Sequence, residues 1–245
     1  EGTQAHEWAA KVLLGQAPIE EVPDDIREPV SWYVDHCDSV RQQGQLSHMV
    51  EEKVPLFYLK GEQSTVDFAA IATGAINIVD YKHGAGEWVG AIDNDQLATY
   101  ALGLVQQLEE ESGEELPDDT TVTMQIYQPR HYKFDGEPTT WQTDLRDLKD
   151  FGIDIEDGYK IAKHQEGNPD EREFNPSQSA CQFCKLKGRC RARTMTATGA
   201  LPDDINPLVL ASGLGTEKSI LEEMKLIQNQ KATLTDAEIG AMVKF

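Results

Sequence analysis

Asp80 and Lys82 stand one residue apart at the end of Ile76-Asn77-Ile78-Val79-Asp80-Tyr81-Lys82. This run of apolar and β-branched residues reads as a strand. Side chains alternate along a strand, so the two charged groups share a face. A carboxylate there can hold a hard cation such as Mg²⁺. The ammonium beside it can orient a water for attack on a phosphate, or offset charge that develops in the transition state. A plain surface ion pair fits the same two residues, so their neighbours decide. Ser64-Thr65-Val66-Asp67-Phe68 reads as a second strand with Asp67 inside an otherwise apolar run. An acid there is costly unless it is paired or holds a metal. Met49-Val50-Glu51-Glu52-Lys53-Val54 opens a strand with two glutamates, and the spacing to Val54 favours Glu52 as the one facing the acids. Asn94 to Tyr100 opens a helix on which Gln96 and Tyr100, four apart, share a face. Gly2-Thr3-Gln4-Ala5-His6 places a histidine on a helix near the amino end.

The elements that must position these groups follow in order. Residues 3–14 carry an apolar stripe of Ala5, Trp8, Ala9, Val12 and Leu13 at helical spacing, with Gly15 as the stop. A second helix spans about 25–43, with Val30, Tyr33, Val34, Cys37 and Val40 on one side. Pro29 fits only its first turns or displaces its start. Three strands come next, around 47–59, 64–72 and 75–82, with Gly61 and Gly74 at the connections. His83-Gly84-Ala85-Gly86 is a flexible loop beside the charged strand. A helix over 94–111, capped by Asp93 or Asn94, buries Leu97, Ala101, Leu104 and Leu108. Thr120–Gln128 reads as a strand beside the Asp80 strand, and Arg130, His131 and Lys133 after it add to a basic surface. Helices are expected at 140–150 and 155–166, parted by Gly152. The result is an α/β fold, a central mixed sheet with helices on its faces. After a core at 1–195, residues 196–215 read as a linker and 216–245 as a helical tail.

Composition narrows the classes. The chain has 245 residues, 27.3 kDa, 39% hydrophobic residues and a mean hydropathy of −0.50, which suits a soluble globular protein with a sizeable core. No apolar run approaches the roughly 20 residues of a membrane span, and no signal peptide is visible. A cytoplasmic protein is therefore expected. The chain enters directly at Glu1, from which upstream residues are expected. The net charge of −21 argues against indiscriminate nucleic-acid binding. The acids Glu109, Glu110, Glu111, Glu114, Glu115, Asp118 and Asp119 cluster at what reads as a solvated helix end. Against this background Lys185, Lys187, Arg189, Arg191 and Arg193 form a basic run, either a solvated loop or a set of phosphate contacts.

That basic run threads Cys181-x2-Cys184-x5-Cys190. Without a secretion signal disulfides are not expected, and the spacing suits a metal site. Three thiolates need a fourth ligand for tetrahedral zinc or a cubane cluster. Cys37 is the one other cysteine and is either that ligand or a buried structural thiol.

The set Gly2-x3-His6, Asp67, Asp80-x-Lys82, Gln96-x3-Tyr100 and the late cysteines resembles the RecB-like branch of the PD-(D/E)XK nucleases that carries an iron–sulphur cluster. That branch includes CRISPR-associated exonucleases and the nuclease domains of bacterial break-processing helicases. Asp80-Tyr81-Lys82-His83-Gly84 and Asn94 to Gly103 look most like a phage and prophage family of such enzymes. The resemblance covers roughly residues 1–195. It implies a restriction-endonuclease-like core with a C-terminal cysteine cluster, and a metal-dependent DNA exonuclease of phage recombination or end processing. It implies Mg²⁺ or Mn²⁺ held by His6, Asp67, Asp80, the Tyr81 carbonyl and a strand glutamate, with Lys82 positioning water and Gln96 and Tyr100 bracing the lysine or touching DNA. It further implies a [4Fe-4S] cluster on Cys181, Cys184 and Cys190, with zinc as the alternative. The fourth ligand would be Cys37 or a cysteine upstream of Gly2. The partners implied are DNA and a single-strand annealing or single-strand DNA-binding protein, in a bacterial host's cytoplasm if phage-encoded. The rival expectations are a nuclease-fold binding module without cleavage and a structure-specific endonuclease.

Overall fold

Two helices open the chain, and both are dictated by apolar spacing. In a computed structural model, α1 (Gly2–Leu13) buries Ala5, Ala9 and Leu13, and α2 (Asp24–Arg41) buries Ile26, Val30, Tyr33, Val34, Cys37 and Val40. The steps of three and four put each set on one stripe. Asp24 and Asp25 sit in the first turn of α2 and Arg41 in its last, matching the helix dipole. Pro29 lies inside α2, where it removes one backbone bond without ending the helix. A 3₁₀ turn at Ile19–Glu21 links the two helices. The structure describes residues 2–42 and 46–168, and beyond them 174, 176, 177, 181, 184–188, 190, 192 and 193.

The sheet has five strands in sequence order: β1 (Ser47–Pro55), β2 (Gln63–Ala72), β3 (Ala75–Tyr81), β4 (Thr121–Tyr127) and β5 (Thr139–Asp144). All neighbours pair antiparallel except β3 and β4, which are parallel and need a crossover. That crossover is α3 (Asp95–Ser112). Its start is fixed by Asn94, whose Oδ1 accepts from Leu97 N–H at 3.1 Å, and its end by Gly113 at φ 71°. α3 buries Leu97, Ala101 and Leu104 on one face of the sheet, against Ile76, Ile78, Val122 and Met124. α1 and α2 cover the other face, against Phe68, Ala70, Val79 and Tyr81. Helices on both faces of a mixed sheet make this an α/β fold.

Two expectations about the segment after β4 are corrected. Residues 139–144 are a strand at the sheet edge, with Met124 opposite Trp141 and Gln125 opposite Thr140. The helix begins only at Leu145, after Asp144 accepts from Asp147 N–H at 2.8 Å. It then runs unbroken to Gly167 as α4. Gly152 does not interrupt it. A Cβ there would come within 2.5 Å of Leu102 Cδ1, so this glycine allows α4 to lie close on α3.

The chain divides into two compact units, Glu1–His164 and Gln165–Phe245. The expected linker and helical tail lie outside the described residues. Among the described residues no helix is long and apolar enough to cross a membrane.

Candidate metal centre

The centre forms where β2 and β3 part. Their ladder stops at Phe68 opposite Val79. Continued by one residue, that register would set Asp67 against Asp80. Instead Asp67 Oδ2 accepts from Tyr81 N–H at 2.7 Å, so a side chain replaces a ladder bond. On its other edge β3 stays tied to β4 as far as Lys82, whose N–H donates to Tyr127 O at 2.9 Å. In extended backbone the carbonyl of a residue points to the same edge as its N–H. The Tyr81 carbonyl therefore faces the opening beside Asp67, as the reading of it as a ligand requires.

β1 and β2 also exchange faces here. Val50 packs with Phe68 and Ala70 on the α1–α2 side, whereas Val54 packs with Val66 on the α3 side. Under strict alternation Val50 and Val54 would share a face, as would Val66 and Phe68. The exchange falls at Glu51 and Asp67, and Glu51 has φ 50°. A left-handed glutamate is uncommon, and such strain gathers at functional sites. It turns the Glu51 carboxylate toward His6. His6 Nδ1 lies 3.7 Å from Glu51 Oε1 and 3.4 Å from Asp67 Oδ1. Ligand atoms of His6, Glu51 and Asp67 all fall within 4.8 Å of one another, the one such group among the described residues. Both glutamates are exposed, but Glu52 is outside this group and Glu51 is in it, which moves the strand glutamate's role from Glu52 to Glu51. Counting back from Val54 assumes an unbroken pleat, and the pleat breaks between the two residues.

His6 is held from both sides. Burial works against its charge, but the hydrogen bonds and fields of Asp67 and Glu51 outweigh burial and lift its pKa to about 10. Its ring lies 5.2 Å from that of Tyr81, and Tyr81 stacks on Tyr33 at 4.4 Å. The Tyr33 hydroxyl donates to Val79 O at 3.3 Å, fixing this stack to β3.

Asp80 is only 2% exposed. Burial pushes its pKa up, Lys82 opposes that shift and Asp67 adds to it. Lys82 Nζ donates to Asp80 Oδ1 at 3.0 Å. It also lies 2.8 Å from the buried Oδ2, so the ammonium pairs with both oxygens. A second bond from Lys82 Nζ reaches Gln96 Oε1 at 3.0 Å, and Gln96 Nε2 donates to the Tyr100 hydroxyl at 2.5 Å. The Gln96–Tyr100 pair thus braces the lysine. Asp80 stands beside the three-residue group, near enough to feel Asp67 and His6, but outside it.

Three further residues, His83, Arg130 and Gln128, carry the surroundings in roles that the sequence reading did not give them. His83, 3% exposed, links Tyr81 Oη at 3.0 Å to Arg130 Nη1 at 2.7 Å. A guanidinium only donates, so His83 Nε2 accepts and its Nδ1–H faces Tyr81. Gln128 at the end of β4 donates to Gly84 O at 2.8 Å and Glu87 O at 2.6 Å, and accepts from Val89 N–H at 3.1 Å. The glycine loop after Lys82 is therefore pinned along its length. Its partners come from β4, and no local pattern around residue 83 announces them.

The cysteines divide between the two units. Cys37 is fully buried in the α1–α2 core, where burial pushes its thiol pKa up. That is the setting of a structural thiol, and Cys37 belongs to no ligating group among the described residues. In the second unit Cys181 and Cys190 are half-buried and Cys184 is exposed. They lie on successive turns, with Cys184 N–H on Cys181 O and Lys187 N–H on Cys184 O, both at 3.2 Å. None forms a disulfide, and among the described residues they are not drawn into one ligating group. Lys185, Lys187 and Arg193 lie on this segment, Arg193 Nη1 donating to Lys187 O at 3.2 Å. Arg189 and Arg191 fall outside the described residues.

Fold and site together define an α/β protein with a histidine–carboxylate group at a sheet opening and a braced lysine beside it. Residues 1–243 match the model of the family DUF2800, "Protein of unknown function", and the chain belongs to that family. No solved structure matches it.

Proposed function

We propose that this chain is a metal-dependent deoxyribonuclease of the RecB-like PD-(D/E)XK kind, acting from DNA ends. The observation that carries this reading is Asp80. It is a buried carboxylate whose two oxygens lie 3.0 and 2.8 Å from Lys82 Nζ, beside His6, Glu51 and Asp67. Three carboxylates gathered round one ammonium are costly unless a further cation offsets their charge. Carboxylates, one imidazole and a backbone carbonyl suit Mn²⁺ and Mg²⁺. A bound ion of this kind lowers the pKa of a coordinated water and neutralises charge on the phosphorus. Asp80, Asp67, Glu51, His6 and the Tyr81 carbonyl would hold it. Lys82 gives one N–H to Asp80 and one to Gln96, leaving a third to orient the attacking water. Tyr100 keeps Gln96, and through it the ammonium, in place.

The late cysteines would carry a [4Fe-4S] cluster or, failing that, zinc, stabilising the second unit rather than reacting. A single-strand annealing or single-strand DNA-binding protein would be the functional companion. Asp80→Ala tests the reading against a binding module of the same fold. Cleavage of linear DNA should vanish while DNA binding persists. Native protein that binds DNA yet never cleaves it with either metal would establish the module.

A further inference from the structure

A cleft of about 750 Å³ opens beside the braced lysine, and Gln96 and Tyr100 belong to its lining. Its size is within the roughly 300–1,000 Å³ of small-ligand sites. Its far wall is aromatic. Tyr58 and Tyr159 pack at 5.3 Å between ring centroids, and Phe151 lies beside them. Its rim is acidic, because Asp95 and Asp154 are exposed at its edge. The cleft belongs entirely to the first unit, between the β1–β2 connection, the start of β2, α3 and α4.

These features select among the parts of a nucleic acid. Two carboxylates in a chain of net charge −21 repel a phosphate. An aromatic wall attracts a flat π-face, and base–aromatic stacking tolerates any base. Carboxylates accept hydrogen bonds and donate none when ionised, so they favour bases with exocyclic amino groups. Adenine, cytosine and guanine carry one and thymine does not. A base inside a duplex cannot reach such a wall, because both its faces are already stacked.

We infer that this cleft is a nucleobase subsite, taking one unstacked amino-bearing base next to the phosphate that Asp80 and Lys82 address. It rests on the nuclease reading for its position, and it makes the substrate a single strand or a frayed end. The phosphodiester reaches the charged residues while the neighbouring base turns into the cleft and lies on Tyr58 and Tyr159.

The test uses the full chain carrying Lys82→Ala, so that substrate survives, and a short single strand with 2-aminopurine near its end. Binding should quench the fluorescence as the base stacks. Adding Tyr159→Ala should abolish the quench and weaken binding about 10-fold, whereas Tyr159→Phe should keep both. Asp154→Asn should narrow the preference for adenine over thymine at that position. A quench unchanged by Tyr159→Ala, or loss of the quench with Tyr159→Phe as well, overturns the subsite. Cleavage by the chain with native Lys82 is scored separately. Cleavage without stacking sinks the subsite alone, and stacking without cleavage sinks the nuclease reading alone.

Discussion

Glu51 and Glu52 are chemically identical neighbours with opposite fates, and the difference is a single backbone angle. At φ 50° Glu51 holds a conformation that costs a non-glycine residue about 1–3 kcal/mol. That cost is offset only if its carboxylate matters where it points. Glu51→Gln should weaken Mn²⁺ binding at least ~10-fold, on the scale of losses seen when even outer-shell partners are removed. Glu52→Gln should leave it unchanged. Titration followed by electron paramagnetic resonance decides, and equal losses would return the role to both. His6 gives a second residue-scale prediction. Its folded pKa of about 10 lies above the 6.5 of a free histidine. The protonated form is therefore favoured by folding, and its contribution is complete below about pH 6.5 and lost as pH rises through about 10. Thermal melts in chelator should show Tm falling across that window, and His6→Gln should flatten the fall. An unchanged slope in the variant would show that another group governs it.

At the scale of elements, α3 and α4 lie close to their neighbours at Gly103 and Gly152, whereas Gly158 faces open space. A Cβ at Gly103 would come within 2.2 Å of the Pro55 carbonyl oxygen, which is backbone at the end of β1 and cannot swing away. Gly103→Ala should destabilise by about 3 kcal/mol, the upper range for overpacking. Gly158, on the same helix as Gly152, has nothing within 4 Å. Gly158→Ala should stabilise by about 0.5–1 kcal/mol through helix propensity. Urea midpoints separate the two, and a mild Gly103→Ala would mean that α3 can slide on β1. The helices α1, α2 and α3 and the first four strands were legible because their apolar spacing is clean and their ends carry Asn94, Gly113 and Gly74. The fifth strand was hidden by its successor. Leu145, Leu148 and Phe151 repeat at helical intervals and drew the helix back over Thr139–Asp144, although two threonines, a tryptophan and a capping Asp144 mark a strand and then a helix start. Gly152 looked like a break because a helical glycine is usually unfavourable. Its reason is a neighbour 50 positions away, Leu102, which only the fold brings near. Asp80, Gln96 and Tyr100 could be named beforehand because each sits in a regular element, and Lys82 because it directly follows one. Glu51 could not, because it sits where the regularity fails.

For the whole molecule, the charge of −21 means that the DNA we propose as substrate would have to be met by local groups rather than by a general positive field. The late cysteines belong to the second unit, Gln165–Phe245, and the candidate metal centre to the first. Protein prepared without oxygen should carry iron and sulphide, and Cys184→Ser should remove both. Stoichiometric zinc in their place would identify the alternative site. The central claim is that the braced Lys82, with Asp80 and the histidine–carboxylate group, hydrolyses DNA. The most direct measurement is cleavage of end-labelled linear DNA and of closed circles by full-length protein prepared without oxygen, with Mg²⁺ or Mn²⁺, native against Lys82→Ala. Loss of linear DNA alone, abolished by the substitution, is the predicted result. Cleaved circles would make the enzyme an endonuclease. Equal cleavage by the variant, or none by the native chain with either metal, would contradict the account.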